Sequence, residues 1–255
     1  MIPALLGALL VGLTLGLLGS GGSILTVPIL RYLLHHDHKA AIAESLAIVG
    51  VISASGFLQA LRGRRATIAA TLGFGLPGMG GAFVGALLAR RIPGYVQFIA
   101  LAVVMLAAAS MMVRRKTTAS PATSTPTAPP DSPSPLLIAS LGLAVGAMTG
   151  LVGIGGGFLI VPALVLGATM PMRLAVGTSL GVITLNCAVG FSTYLTHLPP
   201  LDWRTIRLFC LIGVAGAFIG QRLGGRLPQA TLRRFFAFFI FLIAIFMLWE
   251  ELAHS

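Results

Sequence analysis

Apolar residues dominate the chain in eight long runs, at about 2–34, 40–61, 66–88, 94–113, 136–169, 174–196, 205–223 and 230–249. Polar and basic residues fall mainly between the runs. The run Ala66–Leu88 has no charged residue. As a helix it would span roughly 34 Å at ~1.5 Å per residue, against a hydrocarbon core of ~30 Å. The pattern predicts an all-α polytopic membrane protein. The first and fifth runs differ from the rest. Each exceeds 30 residues and is cut near its middle by glycines. A glycine inside a helix costs ~1 kcal/mol relative to alanine, so five or six together predict two half-helices joined by a turn. The half-helices either stack into one broken span or fold back as a re-entrant hairpin.

These two runs carry the same motif. Gly12–Leu30 and Gly146–Leu164 align without a gap, with ten of nineteen residues identical. Both read G-x3-G-L-x-G-x-G-G-x2-L-x-V-P-x-L. The match extends through Lys39 and Arg173, Ser45-Leu46 and Ser179-Leu180, and Gly56-Phe57 and Gly190-Phe191. After a one-residue insertion, Gly81-Ala82-Phe83 matches Gly216-Ala217-Phe218, and Arg91-x-Pro93 matches Arg226-x-Pro228. The chain therefore divides into a transmembrane repeat over 1–116, a linker over 117–135 rich in Pro, Ser and Thr, and a second repeat over 136–255. The linker has too little apolar content to bury.

Composition agrees. The hydrophobic fraction is 56%, charged residues make up 9%, and mean hydropathy is +0.98. The net charge of +11 comes from clusters flanking the runs, among them Arg62/Arg64/Arg65, Arg90/Arg91, Arg114/Arg115/Lys116 and Arg233/Arg234. This placement makes them topology determinants, not a nucleic-acid surface. Parallel repeats would put nine Arg/Lys on one side and eight on the other; inverted repeats would put eleven against six. The positive-inside rule favours inversion. Inversion needs an odd number of crossings per repeat, and so hairpins at the glycine runs. Ala4–Leu18 lacks a basic leader and a cleavage site, and reads as mature protein. Cys187 and Cys210 lie in apolar runs and suggest neither a disulfide nor a metal site.

The candidate chemistry begins at the turns Gly19-Ser20-Gly21-Gly22-Ser23 and Gly153-Ile154-Gly155-Gly156-Gly157. Residues without Cβ atoms let backbone N–H groups form a concave nest, and a following helix start adds partial positive charge. Such a turn binds anions. Corresponding breaks in two half-repeats point to a transport site near mid-membrane. The alternative use of these glycines is close helix packing. Pro28 and Pro162 follow the turns and are expected to kink the second half-helices. Ser45 and Ser179 occupy equivalent positions, and Thr178, Thr184 and Asn186 follow in the second repeat. Hydroxyls in membrane helices often bond only their own backbone, whereas an amide at Asn186 needs a helix or ligand partner. Glu44 is a candidate for proton exchange or an interfacial partner of Lys39. Lys39 and Arg173 either snorkel to the interface or line an anion-attracting vestibule. His35-His36-Asp37-His38 offers metal- or pH-sensing chemistry only in an exposed loop. The sequence carries no catalytic constellation, and no cofactor or metal is expected.

The chain resembles the TauE/SafE family of sulfite exporters. The resemblance rests on G-L-x-G-x-G-G-x2-L-x-V-P in both halves and on Ala175-Val176-Gly177-Thr178-Ser179-Leu180. It covers the chain outside the linker. The first repeat departs from it, with Ala43-Glu44-Ser45-Leu46 where the second has Gly177-Thr178-Ser179-Leu180. The resemblance implies a non-enzymatic, non-ATP secondary transporter in a bacterial inner membrane, exporting sulfite or an organosulfonate. The alternatives are an anion channel or an uptake permease. The implied partners are a small anion and the lipid bilayer, with no nucleic acid; the sequence does not set the oligomeric state.

Overall fold

The computed structural model describes residues 2–19, 22–30, 34, 36, 38–89, 103, 106, 107, 109–112, 134–152, 157–194 and 201–254. Among the described residues there are helices and no strands. They are α1 (Ile2–Leu18), α2 (Gly22–Pro28), α3 (His38–Arg62), α4 (Ile68–Ala89), α5 (Pro135–Val152), α6 (Gly157–Pro162), α7 (Met172–Tyr194), α8 (Trp203–Arg226) and α9 (Gln229–His254). The fourth apolar run is helical at 103, 106, 107 and 109–112, and most of it lies outside the described residues, as does nearly all of the linker. Four described helices are long and apolar enough to cross a bilayer: Ala40–Arg62, Ile68–Gly85, Met172–Ser192 and Trp203–Arg226. Leu5–Leu18 and Pro135–Thr149 are shorter apolar helices. Exposed Leu72, Leu76, Phe83, Leu211, Ile219, Phe235 and Phe238 form the apolar exterior that a lipid solvent requires. The chain is a multi-pass membrane protein.

The core lies between α3 and α7. Ile48, Ile52, Leu180 and Ile183 are buried there. The two helices run antiparallel: Gly190 faces Leu46 and Gly50 faces Cys187, while Gly181 faces Phe57 and Gly177 lies against the Arg65 carbonyl.

Two further pairs flank this centre. In one, α1 runs parallel to α8, with Gly12 against Gly213, Gly16 against Ala217 and Leu17 against Gly220. In the other, α5 runs parallel to α4, with Gly142 against Phe74, Gly146 against Gly78 and Gly81 against Ala147. At these crossings backbone meets backbone, and no side chain fits between. Small residues four apart permit this approach, which replaces the hydrophobic drive that lipid cannot supply.

In both halves the helices flanking the glycine run fold back on each other. α1 ends at Leu18, Gly19 caps it at φ +82° with its N–H on the Leu15 carbonyl, and α2 starts at Gly22. α2 then returns along α1: a Cβ on Gly22 would lie 2.6 Å from the Val11 oxygen, and one on Gly7 would lie 2.8 Å from Ile29 Cγ2. In the second half α5 ends at Val152, α6 starts at Gly157, and Gly167 returns to pack on Leu141.

Pro28 and Pro162 are each followed by a change of helix type. Pro162 closes α6 and hands over to a π turn, Ala163–Gly167. Residues 29–30 are likewise π-helical after Pro28, and Leu34 N–H bonds to the Ile29 carbonyl five residues back. A residue without an N–H disturbs the i→i−4 ladder, and a wider turn absorbs the disturbance.

Candidate functional site

The motif divides by role. Gly12, Gly16 and Gly146 serve helix packing at the parallel crossings. Gly19 serves the turn. Its positive φ disfavours any residue with a Cβ, and a Cβ there would lie 2.6 Å from Ser179 Oγ and 3.0 Å from Val176 Cα. The first turn is thus seated on the opening turns of α7. Gly157 opens the second return helix, where a Cβ would be 3.2 Å from Ser23 Oγ and 3.2 Å from Ile183 Cδ1. Hence Ser23 of one half meets Gly157 of the other, against the middle of α7. Ser20, Gly21, Gly153, Ile154, Gly155 and Gly156 lie outside the described residues.

The hydroxyls do not converge on one point. Ser179 Oγ donates to the Val176 carbonyl at 2.8 Å, and Ser45 Oγ donates to the Ile42 carbonyl at 2.7 Å. Each therefore spends its proton on its own helix and keeps lone pairs free to accept. Because α3 and α7 are antiparallel, Ser45 sits beside Gly190 while Ser179 sits at the level of Phe57. They are separated by about 12 residues of α3, roughly 18 Å at ~1.5 Å per residue. Thr184 bonds back to the Leu180 carbonyl. Thr178 is fully buried, and its Oγ1 has no partner among the described residues. Asn186 is exposed on α7.

The carboxylate of Glu44 is 1% exposed and doubly held. Oε2 lies 2.6 Å from His36 Nδ1, and Oε1 accepts the Asp202 N–H at 2.8 Å. His36 is a basic partner of Glu44; the Lys39 side chain lies outside the described residues. The contact ties the start of α3 to the start of α8. Asp202 caps α8, with its Oδ1 accepting from Arg204 N and Thr205 N and its Oδ2 accepting from the Thr205 hydroxyl. The Thr205 hydroxyl above all, with these N–H groups, holds the Asp202 carboxyl below the usual carboxylate range. No group of three or more metal-ligating side chains occurs among the described residues.

At the opposite end of the bundle the chemistry is basic. Arg65, just past α3, donates to the Gln221 carbonyl at 3.5 Å, and Arg173 Nη2 donates to the Leu227 carbonyl at 2.9 Å. Gln221 is buried and donates to the Gly56 carbonyl at 2.6 Å. A small cavity of about 20 Å³, room for one water, lies among Gly16, Arg65, Arg173, Val176 and Gln221.

The sequence reading missed this convergence. From the sequence Arg65 is only a topology marker, and Gln221 has no assigned role. A lone amide within the glycine-spaced run Gly213–Gly224 was the available signal.

Comparison with known proteins identifies the lineage. The sequence profile described as sulfite exporter TauE/SafE matches residues 4–247. The chain belongs to the TauE/SafE family. Its relatives are named as membrane transporters. A probable membrane transporter protein of Xylella fastidiosa strain 9a5c is 31% identical over 96% of this chain and 93% of its own length. The corresponding protein of strain Temecula1 is 32% identical with the same coverage. YdhB, a probable membrane transporter protein of Bacillus subtilis, is 27% identical over 88% of this chain and 90% of its own length. No solved structure matches the chain.

Proposed function

We propose that this TauE/SafE protein is a secondary transporter that moves a small anion, sulfite or an organosulfonate, out of the cell across a bacterial inner membrane. The observation that carries the reading is the meeting of the two glycine-turn hairpins, Ser23 of one against Gly157 of the other, beside α7. Irregular backbone at membrane depth is tolerated where it lines a cavity or is buried in protein. Exposed N–H groups there replace an anion's lost hydration without burying a full positive charge. The N–H groups of residues 20–23 and 154–157 are the proposed donors. Ser179 flanks the first turn; Ser45, by repeat equivalence, flanks the second. Thr178 adds a buried hydroxyl free to turn toward the anion, and Asn186 is a proposed side-chain donor from α7. Glu44 is the candidate carboxylate for proton coupling. No cofactor, metal or nucleic acid enters the scheme; the partners are the anion and the bilayer.

We read the architecture as two inverted repeats of four apolar segments, 1–116 and 136–255, joined by the linker. Support comes from the antiparallel packing of the equivalent helices α3 and α7, and from the exchange pattern of α1 with α8 and α5 with α4. A two-fold axis in the membrane plane generates such pairs. Arg62, Arg64, Arg65, Arg173, Arg222 and Arg226 then share one end, which the positive-inside rule assigns to the cytoplasm.

A thermal-shift screen of the purified protein against sulfite, sulfate, thiosulfate, sulfoacetate and small carboxylates tests the substrate class. A ligand at 100 times its Kd stabilises by about 2.7 kcal/mol through mass action. A shift with sulfite or sulfoacetate and none with carboxylates is expected. A shift with carboxylates alone would refute the sulfur-anion reading.

A further inference from the structure

We propose that the cleft between Arg65 and Arg173 is a second anion station, at the basic end of the molecule, which takes an oxyanion head group on its way to or from the first glycine turn. The proposal rests on the transporter reading given above.

Arg65 and Arg173 line one small cleft with Gln221, and among the described residues no carboxylate lines it with them. Like charges in a shared low-dielectric space repel, and an anion between them removes the cost. The protein's own bonds leave donors unused. Arg173 Nη2 has the Leu227 carbonyl, but its buried Nε–H has no acceptor among the described residues. Buried guanidinium donors ordinarily find an acceptor, so an orphan here marks a place for one.

The backbone is shaped around these side chains. Gly177 allows the Arg65 carbonyl to lie directly on α7, and a Cβ on Gly225 would stand 2.6 Å from Arg65 Nη1. The cleft also adjoins the first turn. Val176 lines it and touches Gly19, and Gly16 and Leu17 of α1 form another wall. Its room of about 20 Å³ holds one water-sized group, so an oxyanion enters as the flexible ends of Arg65 and Arg173 swing outward around it. The chemistry recognised is a compact, multi-oxygen anion that accepts two forked donors. A free sulfite or sulfonate and a lipid phosphate share that chemistry; the proposal assigns the cleft to the free anion.

Sulfite counterflow in proteoliposomes of neutral phosphatidylcholine tests this, using wild type, Arg65→Gln, Arg173→Gln and Arg173→Lys. Each glutamine variant is expected to raise the sulfite KM about 10- to 100-fold, the loss of a hydrogen bond to a charged group. The maximal rate should stay within about twofold, and lysine should recover part of the affinity because the charge remains. Gly225→Ala, which displaces the Arg65 guanidinium without removing charge, reads the same site if Arg173→Gln fails gel filtration. Unchanged KM in the folded glutamine variants of a transporting protein would overturn the proposal and leave the transporter reading intact. Absence of sulfite counterflow in the wild type would instead fell the transporter reading, and the station with it. A KM effect seen only when phosphatidylglycerol is added would assign the cleft to a lipid phosphate, again overturning the proposal.

Discussion

Removing the Glu44 carboxylate should unfasten one end of the molecule. Glu44→Ala deletes two bonds at once, to His36 Nδ1 at 2.6 Å and from Asp202 N–H at 2.8 Å. A hydrogen bond to a charged group is worth about 1.5–3 kcal/mol. The two do not simply add. The His36 side chain is 16% exposed and regains some water, while Glu44 at 1% exposure carries a desolvation penalty that alanine abolishes. A net loss of about 2–4 kcal/mol is expected. Glu44→Gln keeps the shape and an acceptor for Asp202 N–H and loses only the charge, so a loss of about 1 kcal/mol is expected. Equilibrium unfolding of the detergent-solubilised protein measures both. Equal stability of the alanine and glutamine variants, or an alanine variant as stable as wild type, would refute the latch. The same glutamine variant probes coupling. If Glu44 carries the transported proton, substrate counterflow survives in Glu44→Gln while accumulation driven by a pH gradient is lost.

Gly146→Val should destabilise by about 3 kcal/mol or more, because its Cβ has only the Gly78 backbone to occupy, whereas Gly80→Ala meets nothing within 4 Å and should gain up to about 1 kcal/mol in the same unfolding assay. Asp202→Asn should flatten the acid limb of stability. The Asp202 carboxyl is held below its ordinary value, so its contribution is complete above an unfolded pKa of about 3.9 and is lost as pH falls through the lower folded value; unfolding midpoints from pH 6 downward to about 2 would show it. Single cysteines at Arg64 and Arg226, in a background lacking Cys187 and Cys210, should label from the same side of the membrane and a cysteine at Arg204 from the other; labelling of positions 64 and 226 from opposite sides would exclude the inverted arrangement.

Much of the fold was legible because a lipid solvent leaves a plain record. Apolar runs set most helices to within a few residues: the run at 174–196 became α7 (Met172–Tyr194), and that at 205–223 became α8 (Trp203–Arg226). The glycine turns were visible because so many glycines together disfavour an unbroken helix, and Gly19 at φ +82° is the break. Direction was harder to read. The charge count leaned toward hairpins by a small margin, but contacts such as Gly7 with Ile29 fix the return of α2 along α1. The partition of glycines between packing and turning was not legible, since Gly16 and Gly19 look alike until Ala217 and Ser179 are seen beside them. Nor was the partner of Glu44. His36 and Asp202 are distant from each other in sequence, and only the meeting of α3 with α8 brings them to one carboxylate. The separation of Ser45 from Ser179 had the same cause, because equivalent positions in antiparallel helices need not share a depth.

The central claim is that a small sulfur-containing anion crosses between the two glycine turns. Counterflow of radiolabelled sulfite in proteoliposomes, wild type beside Gly19→Ala, tests it most directly. The wild type should show uptake that saturates and is accelerated by unlabelled sulfite on the opposite side. Gly19→Ala, confirmed as folded by gel filtration, should lose that exchange, because a Cβ at φ +82° and 2.6 Å from Ser179 Oγ deforms the turn. Wild-type flux no greater than in protein-free liposomes, or normal exchange by a folded Gly19→Ala protein, would contradict the account.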